Sequence, residues 1–125
     1  MSTETIPVQN SRFKTGWIIL VVFAALMTLN HFALIFFLDE PVLFTGFAAF
    51  NLYALIVILI PFRRGEKWAW LTTWILPAGL ALPALNDPNI AILYIAVAAV
   101  CVLGMLLTMR EFFSKDYQNL NTQQF

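Results

Sequence analysis

The chain has 125 residues, of which 61% are hydrophobic and 11% charged, and its mean hydropathy is +0.80. Such a composition cannot supply the polar surface of a water-soluble domain, and it belongs in a bilayer. Seven basic residues balance seven acidic ones and Cys101 is the single cysteine, which disfavours nucleic-acid-binding modules and disulfide-stapled scaffolds.

In chain order, the first apolar stretch runs from Trp17 to Leu38. Like the three that follow, it contains no Asp, Glu, Lys or Arg, and its length matches a hydrocarbon core of about 30 Å at 1.5 Å per residue. Arg12 and Lys14 precede it as they would in a signal peptide, but the apolar run is too long and no small-residue cleavage site follows, so it is read as a retained span. It carries His31, the one ionisable group inside an apolar stretch, with Thr28 on the same helical face and Asn30 on a different one. Asp39 and Glu40 come next. They are adjacent carboxylates in a water-facing turn, and nothing desolvates one relative to the other to make an acid and base pair.

The second stretch, Pro41 to Phe62, places Asn51 at a depth comparable with His31, and Gly46, Ala48 and Ala49 are small packing residues near its outer end. The connection that follows reads Pro61-Phe62-Arg63-Arg64-Gly65-Glu66-Lys67-Trp68-Ala69-Trp70. It resembles the link between second and third helices in small uncharacterised prokaryotic proteins with four transmembrane helices. Outside that segment only the helix count is shared. The resemblance implies a fold and a prokaryotic inner-membrane setting, and no activity. The same residues have a physical reading: Arg63, Arg64 and Lys67 sit at headgroup level, where each basic residue attracts anionic lipid by about 1 kcal/mol. Gly65 makes the turn, and Trp68 and Trp70, with Trp17, are expected to anchor helices at that boundary.

The third stretch, Trp68 to Leu85, holds Pro77 and Pro83, which leave the carbonyls of Thr73 and Gly79 without their helical donors. A kink is expected there. Broken helices build midplane sites in transporters, but lone prolines are also tolerated wherever neighbours or Thr72 and Thr73 hydroxyls compensate. After Asn86 to Asn89, the fourth stretch, Ile90 to Met109, carries Tyr94 and the small residues Ala91, Ala98, Ala99, Cys101 and Gly104. The polar tail sets Phe113, Tyr117 and Leu120 at helical spacing, so Glu111 to Leu120 either continues the helix along the membrane surface or frays.

The short connectors make consecutive helices antiparallel neighbours, which gives an all-α, up-down four-helix bundle spanning the membrane as one domain of residues 1–125, with helices about 17–38, 41–62, 68–85 and 90–109. Polar termini, 1–14 and 110–125, flank it. All seven basic residues then fall at one end of the bundle and the opposite loops carry none, so both termini are expected in the cytoplasm (N-in/C-in) of a cell with an inner membrane.

His31, Asn51 and Tyr94 can meet as a polar cluster, with Thr28 and Asn30 near it. Cross-helix hydrogen bonding at roughly 1 kcal/mol or less per pair explains such residues; a ligand contact is the alternative. One histidine without a second His, Cys or carboxylate at its depth is a poor zinc or bis-histidine haem site, so no metal, cofactor or catalytic residue is expected. Small multidrug transporters need a carboxylate in the first span, fluoride channels a glycine-rich, arginine-containing early helix, and thiol-redox membrane enzymes paired cysteines, none of which is present. The reading is therefore a non-enzymatic accessory or self-associating membrane subunit. It would have the lipid bilayer and a homo-oligomer or larger membrane complex as partners, and no nucleic acid. The alternatives are a small carrier or channel for a neutral or weakly polar solute, built on the kinked third helix with His31 and Asn51, and a haem- or quinone-binding subunit.

Overall fold

A computed structural model describes residues 10–122, with side chains as far as Ser114. The outer parts of both polar tails, with Tyr117 and Leu120 of the surface-helix expectation, therefore lie outside the described side chains. Helix α1 (Ser11–Phe37) starts well before the apolar run, because the Asn10 side chain accepts the Arg12 N–H at 3.3 Å and caps it. Helix α2 (Pro41–Val57) opens on Pro41, whose missing N–H costs nothing in a first turn. It widens into a π-helical turn over Ile58–Phe62 that contains Pro61. The chain then reverses at Gly65 (φ +79°): Gly65 N–H bonds the Phe62 carbonyl at 2.9 Å and Glu66 N–H the Pro61 carbonyl at 3.1 Å, a Schellman closure that needs a left-handed residue at that point.

The third span is two helices, α3 (Lys67–Thr73) and α4 (Ile75–Asn86), interrupted at Trp74. Pro77 has no N–H for the Thr73 carbonyl, so the break falls where that bond is missing, and the Thr73 hydroxyl turns back to the Ala69 carbonyl at 2.6 Å. Pro83 lies inside α4 without interrupting it. Asp87 caps α5 (Pro88–Thr122), accepting the Asn89 N–H at 2.9 Å. Four helical stretches, Ser11–Phe37, Pro41–Phe62, Lys67–Asn86 and Pro88–Ser114, are long and apolar enough to cross a membrane. Their outer surfaces leave Phe36 71%, Leu85 81% and Ile92 83% exposed, which lipid tolerates and water does not.

Packing differs between the two ends. Around the bundle the order is α2, α1, α5, α4. At the basic end α3 also packs beside the π-helical turn, and Phe13, Phe62 and Phe112, each at most 2% exposed, form an aromatic plug with Trp70. Ring centroids lie 4.9 Å apart for Phe62 and Phe112 and 5.9 Å for Phe13 and Phe112. Just inside it, α1 and α5 cross at Gly16 and Gly104, where a Cβ on Gly16 would stand 2.7 Å from the Gly104 carbonyl oxygen. At the acidic end, α4 packs on α5 and no substantial contact joins it to α2.

The three tryptophans expected at the boundary do not share a role. Trp68 is exposed, with its indole N–H on the Glu66 carboxylate. Trp70 is 7% exposed and donates to the Met105 carbonyl, and Trp17 donates at 2.9 Å to the Ile58 carbonyl of the widened turn. Arg63 stacks over the Trp17 ring at 5.0 Å. Trp70 is thus an internal fastener, while the half-buried Trp17 ties α1 to the widened turn; each indole N–H bonds a backbone carbonyl.

Candidate functional site

The separation of α2 from α4 leaves a cavity of about 1100 Å³ in the acidic half of the bundle. Its floor is His31 and Met27 of α1, one wall is α2 with Phe44, Phe47 and Asn51, and the other is α4 with Leu76 and Leu80, closed behind by Tyr94 of α5. Phe44, Phe47 and Asn51 share a face of α2 by their three- and four-residue spacing, and they meet His31 directly. The His31 ring centroid is 5.3 Å from that of Phe47 and 6.4 Å from that of Phe44, and Nδ1 is 3.1 Å from Asn51 Nδ2.

The hydrogen bonds around His31 compete. Nδ1 also lies 2.9 Å from the Met27 carbonyl, and a carbonyl only accepts, so that contact requires a proton on Nδ1. The Asn51 amide orientation follows from its other bond, Nδ2 to the Phe47 carbonyl at 2.8 Å, so Asn51 can only donate to Nδ1 and requires a lone pair there. The neutral ring thus has two forms. With the proton on Nδ1 it bonds Met27 and leaves Nε2 an acceptor; with the proton on Nε2 it accepts from Asn51 and Nε2 becomes a donor. Among the described residues neither Nε2 nor Asn51 Oδ1 has a hydrogen-bond partner, yet no buried side-chain nitrogen or oxygen is left sealed off without one. Both atoms are therefore reachable, and the space they are reachable from is the cavity that His31 and Asn51 line.

The other expected cluster members divide. Tyr94 lines the same cavity, half-buried. Thr28 spends its hydroxyl on the Ala24 carbonyl at 2.7 Å and does not line it. Asn30 is exposed on the outer surface of α1. Pro83 lines the cavity and Pro77 is buried in the bundle beside it. Arg63, Arg64 and Lys67 are exposed at the opposite end, and among the described residues no Lys or Arg borders the space; Asp87 stands at its outer rim.

Gly46 of α2 and Gly79 of α4 also line the cavity, and a Cβ added to either meets nothing within 4 Å. Phe44 and Phe47 drew no attention in the sequence, although their spacing to Asn51 was a usable signal, and Gly79 was noted there only for the carbonyl that Pro83 frees. Among the described residues no three His, Cys, Asp or Glu side chains gather as metal ligands. What the arrangement can do is hold a molecule with an apolar body and a polar end. No protein-family model, curated protein or solved structure matches the chain.

Proposed function

We propose that this chain is a membrane-embedded binding protein of carrier type for a neutral or weakly polar solute. The observation that carries the reading is the cavity of about 1100 Å³ with an incompletely satisfied His31–Asn51 pair in its wall. Ligand sites are typically 300–1,000 Å³, mostly apolar, with a few convergent polar groups, and this space has that make-up. The aromatic plug at the basic end argues for a site open on one side of the bundle and against a continuous pore.

The test is saturable labelling of the full chain in lipid nanodiscs by a diazirine-bearing medium-chain alcohol. Labelling is expected on Phe47, Leu80 and Tyr94, suppressed by excess unlabelled alcohol. Unsaturable labelling spread over lipid-facing residues such as Leu29 and Ile92 would overturn the reading.

The charge distribution supports an orientation with the basic end in the cytoplasm, and the Pro61–Trp70 segment supports a prokaryotic inner membrane. With Cys101 fully buried, an impermeant thiol reagent added to intact cells is expected to modify Asp87→Cys and to spare Ser114→Cys. The reverse pattern rejects this orientation.

Self-association is a second reading, favoured by Asn30. Its carboxamide faces outward about 13 Å below the acidic boundary at 1.5 Å per residue, with no hydrogen bond among the described residues. Lipid offers it none, and a second copy does.

A further inference from the structure

We infer that the occupant of the cavity is an uncharged, single-chain amphiphile dissolved in the membrane, which passes sideways between α2 and α4 and rests its polar head on His31 and Asn51. This rests on reading the cavity as a binding site, and adds the class of ligand and its route.

The head is uncharged because of what surrounds it. His31 lies about 12 Å inside the acidic boundary at 1.5 Å per residue, where an unpaired charge costs several kcal/mol. Among the described residues no basic side chain lines the space to pair with an anion, and the Asp87 carboxylate at the rim repels one. That carboxylate is also engaged by the Asn89 N–H and side-chain amide, at 2.9 and 3.1 Å, so it is a helix cap at the rim and offers no deep counter-ion for a cation. A phospholipid would have to bury its headgroup at the His31 depth, which the same cost forbids. A hydroxyl, carbonyl or amide is accommodated. His31 Nε2 is donor or acceptor according to which of its two tautomers the head selects, and Asn51 Oδ1 accepts.

The route is assigned as lateral because the aromatic plug closes the basic end and the cavity lies between α2 and α4, whose backbones make few close approaches. Gly46 and Gly79 line the space on these two helices, and a Cβ added to either meets nothing within 4 Å. An apolar space open to a bilayer fills with whatever the bilayer dissolves. Lipid chains are the default competitors, so a ligand gains over them only through its head. The chain packs against Phe44, Phe47, Leu76 and Leu80 like any hydrocarbon.

The experiment competes three eight-carbon compounds against the diazirine alcohol on the full chain in phosphatidylcholine nanodiscs: octanol, octane and octanoate. Octanol is expected to compete about tenfold better than octane or octanoate, as two modest hydrogen bonds would give. His31→Leu with Asn51→Leu should erase the gap between octanol and octane while leaving octane's competition in place. Gly46→Leu with Gly79→Leu, at positions where an added Cβ meets nothing within 4 Å, should lower labelling by the diazirine alcohol at least tenfold. Equal competition by octanol, octane and octanoate at a saturable site overturns the head-group assignment alone. Undiminished labelling in the double-glycine variant overturns the route alone. Absence of any saturable labelling of the unmodified chain rejects the binding reading beneath both.

Discussion

Gly16 and Gly46 sit in neighbouring helices, and their surroundings are opposite. A Cβ on Gly16 would meet the Gly104 carbonyl at 2.7 Å, Thr108 Cγ2 at 2.8 Å and Leu107 Cβ at 2.9 Å, while one on Gly46 meets nothing. Gly16→Ala must push α1 from α5 and is expected to lower stability by about 1–3 kcal/mol. Gly46→Ala, free of any contact, is expected to be neutral or to stabilise by up to about 1 kcal/mol through helix propensity. Thermal unfolding of both variants in the same detergent checks the contrast; equal midpoints would refute it. Gly104 was legible in the sequence as a packing residue. Its partner Gly16 was not, because it precedes the apolar run and only the cap at Asn10 shows that α1 already exists there. The polar residues divide similarly. That His31 and Asn51 share a depth could be read from chain position, and Thr28 bonds Ala24 one turn back within α1 itself, but that Asn30 points outward depends on how α1 is rotated against α2. Rotation is a packing outcome, and the moderate, all-round apolarity of α1 leaves little trace of it in the sequence.

Among the elements, the third span shows the most about what helix-breaking residues do. Two prolines were expected to kink it, and the interruption lies at Trp74, one turn before Pro77, while α4 runs on through Pro83. In Pro77→Ala the new N–H can reach the Thr73 carbonyl, so α3 and α4 are expected to join. Spin labels at Gly46→Cys and Gly79→Cys, on a chain with Cys101→Ala, should then report a distance changed by several ångströms. An unchanged distance would mean that the break is held by packing instead of by the missing bond. The π-helical turn around Pro61 was not legible, since that proline lies near a span's end where it reads as the start of the loop. Trp17 and Arg63 reveal its importance only in three dimensions: one donates to its Ile58 carbonyl, and the other stacks on that indole.

At the scale of the whole molecule, one copy leaves the Asn30 carboxamide without a hydrogen bond among the described residues, on an outer surface beside exposed Leu26 and Ala33. An asparagine is self-complementary, so two copies related by a twofold axis can satisfy each other there. Energy transfer between donor- and acceptor-labelled chains in liposomes should fall in Asn30→Leu, with association weakened about threefold to tenfold, in keeping with roughly 1 kcal/mol for an interhelical polar pair. Unaltered transfer would remove Asn30 from any interface.

The sequence by itself determined how many times this chain can cross a bilayer, where each crossing lies and which end carries the positive charge. These properties follow from local composition and from the length a helix needs to traverse hydrocarbon. Only the tertiary structure decided that one end is plugged by Phe13, Phe62 and Phe112 while α2 and α4 part at the other, with His31 and Asn51 between them. In lipid, apolar faces do not drive helices together as they do in water. Which faces meet is therefore set by close contacts such as Gly16 on Gly104 and by side-chain bonds to backbone carbonyls, and these exist only once the helices are in place.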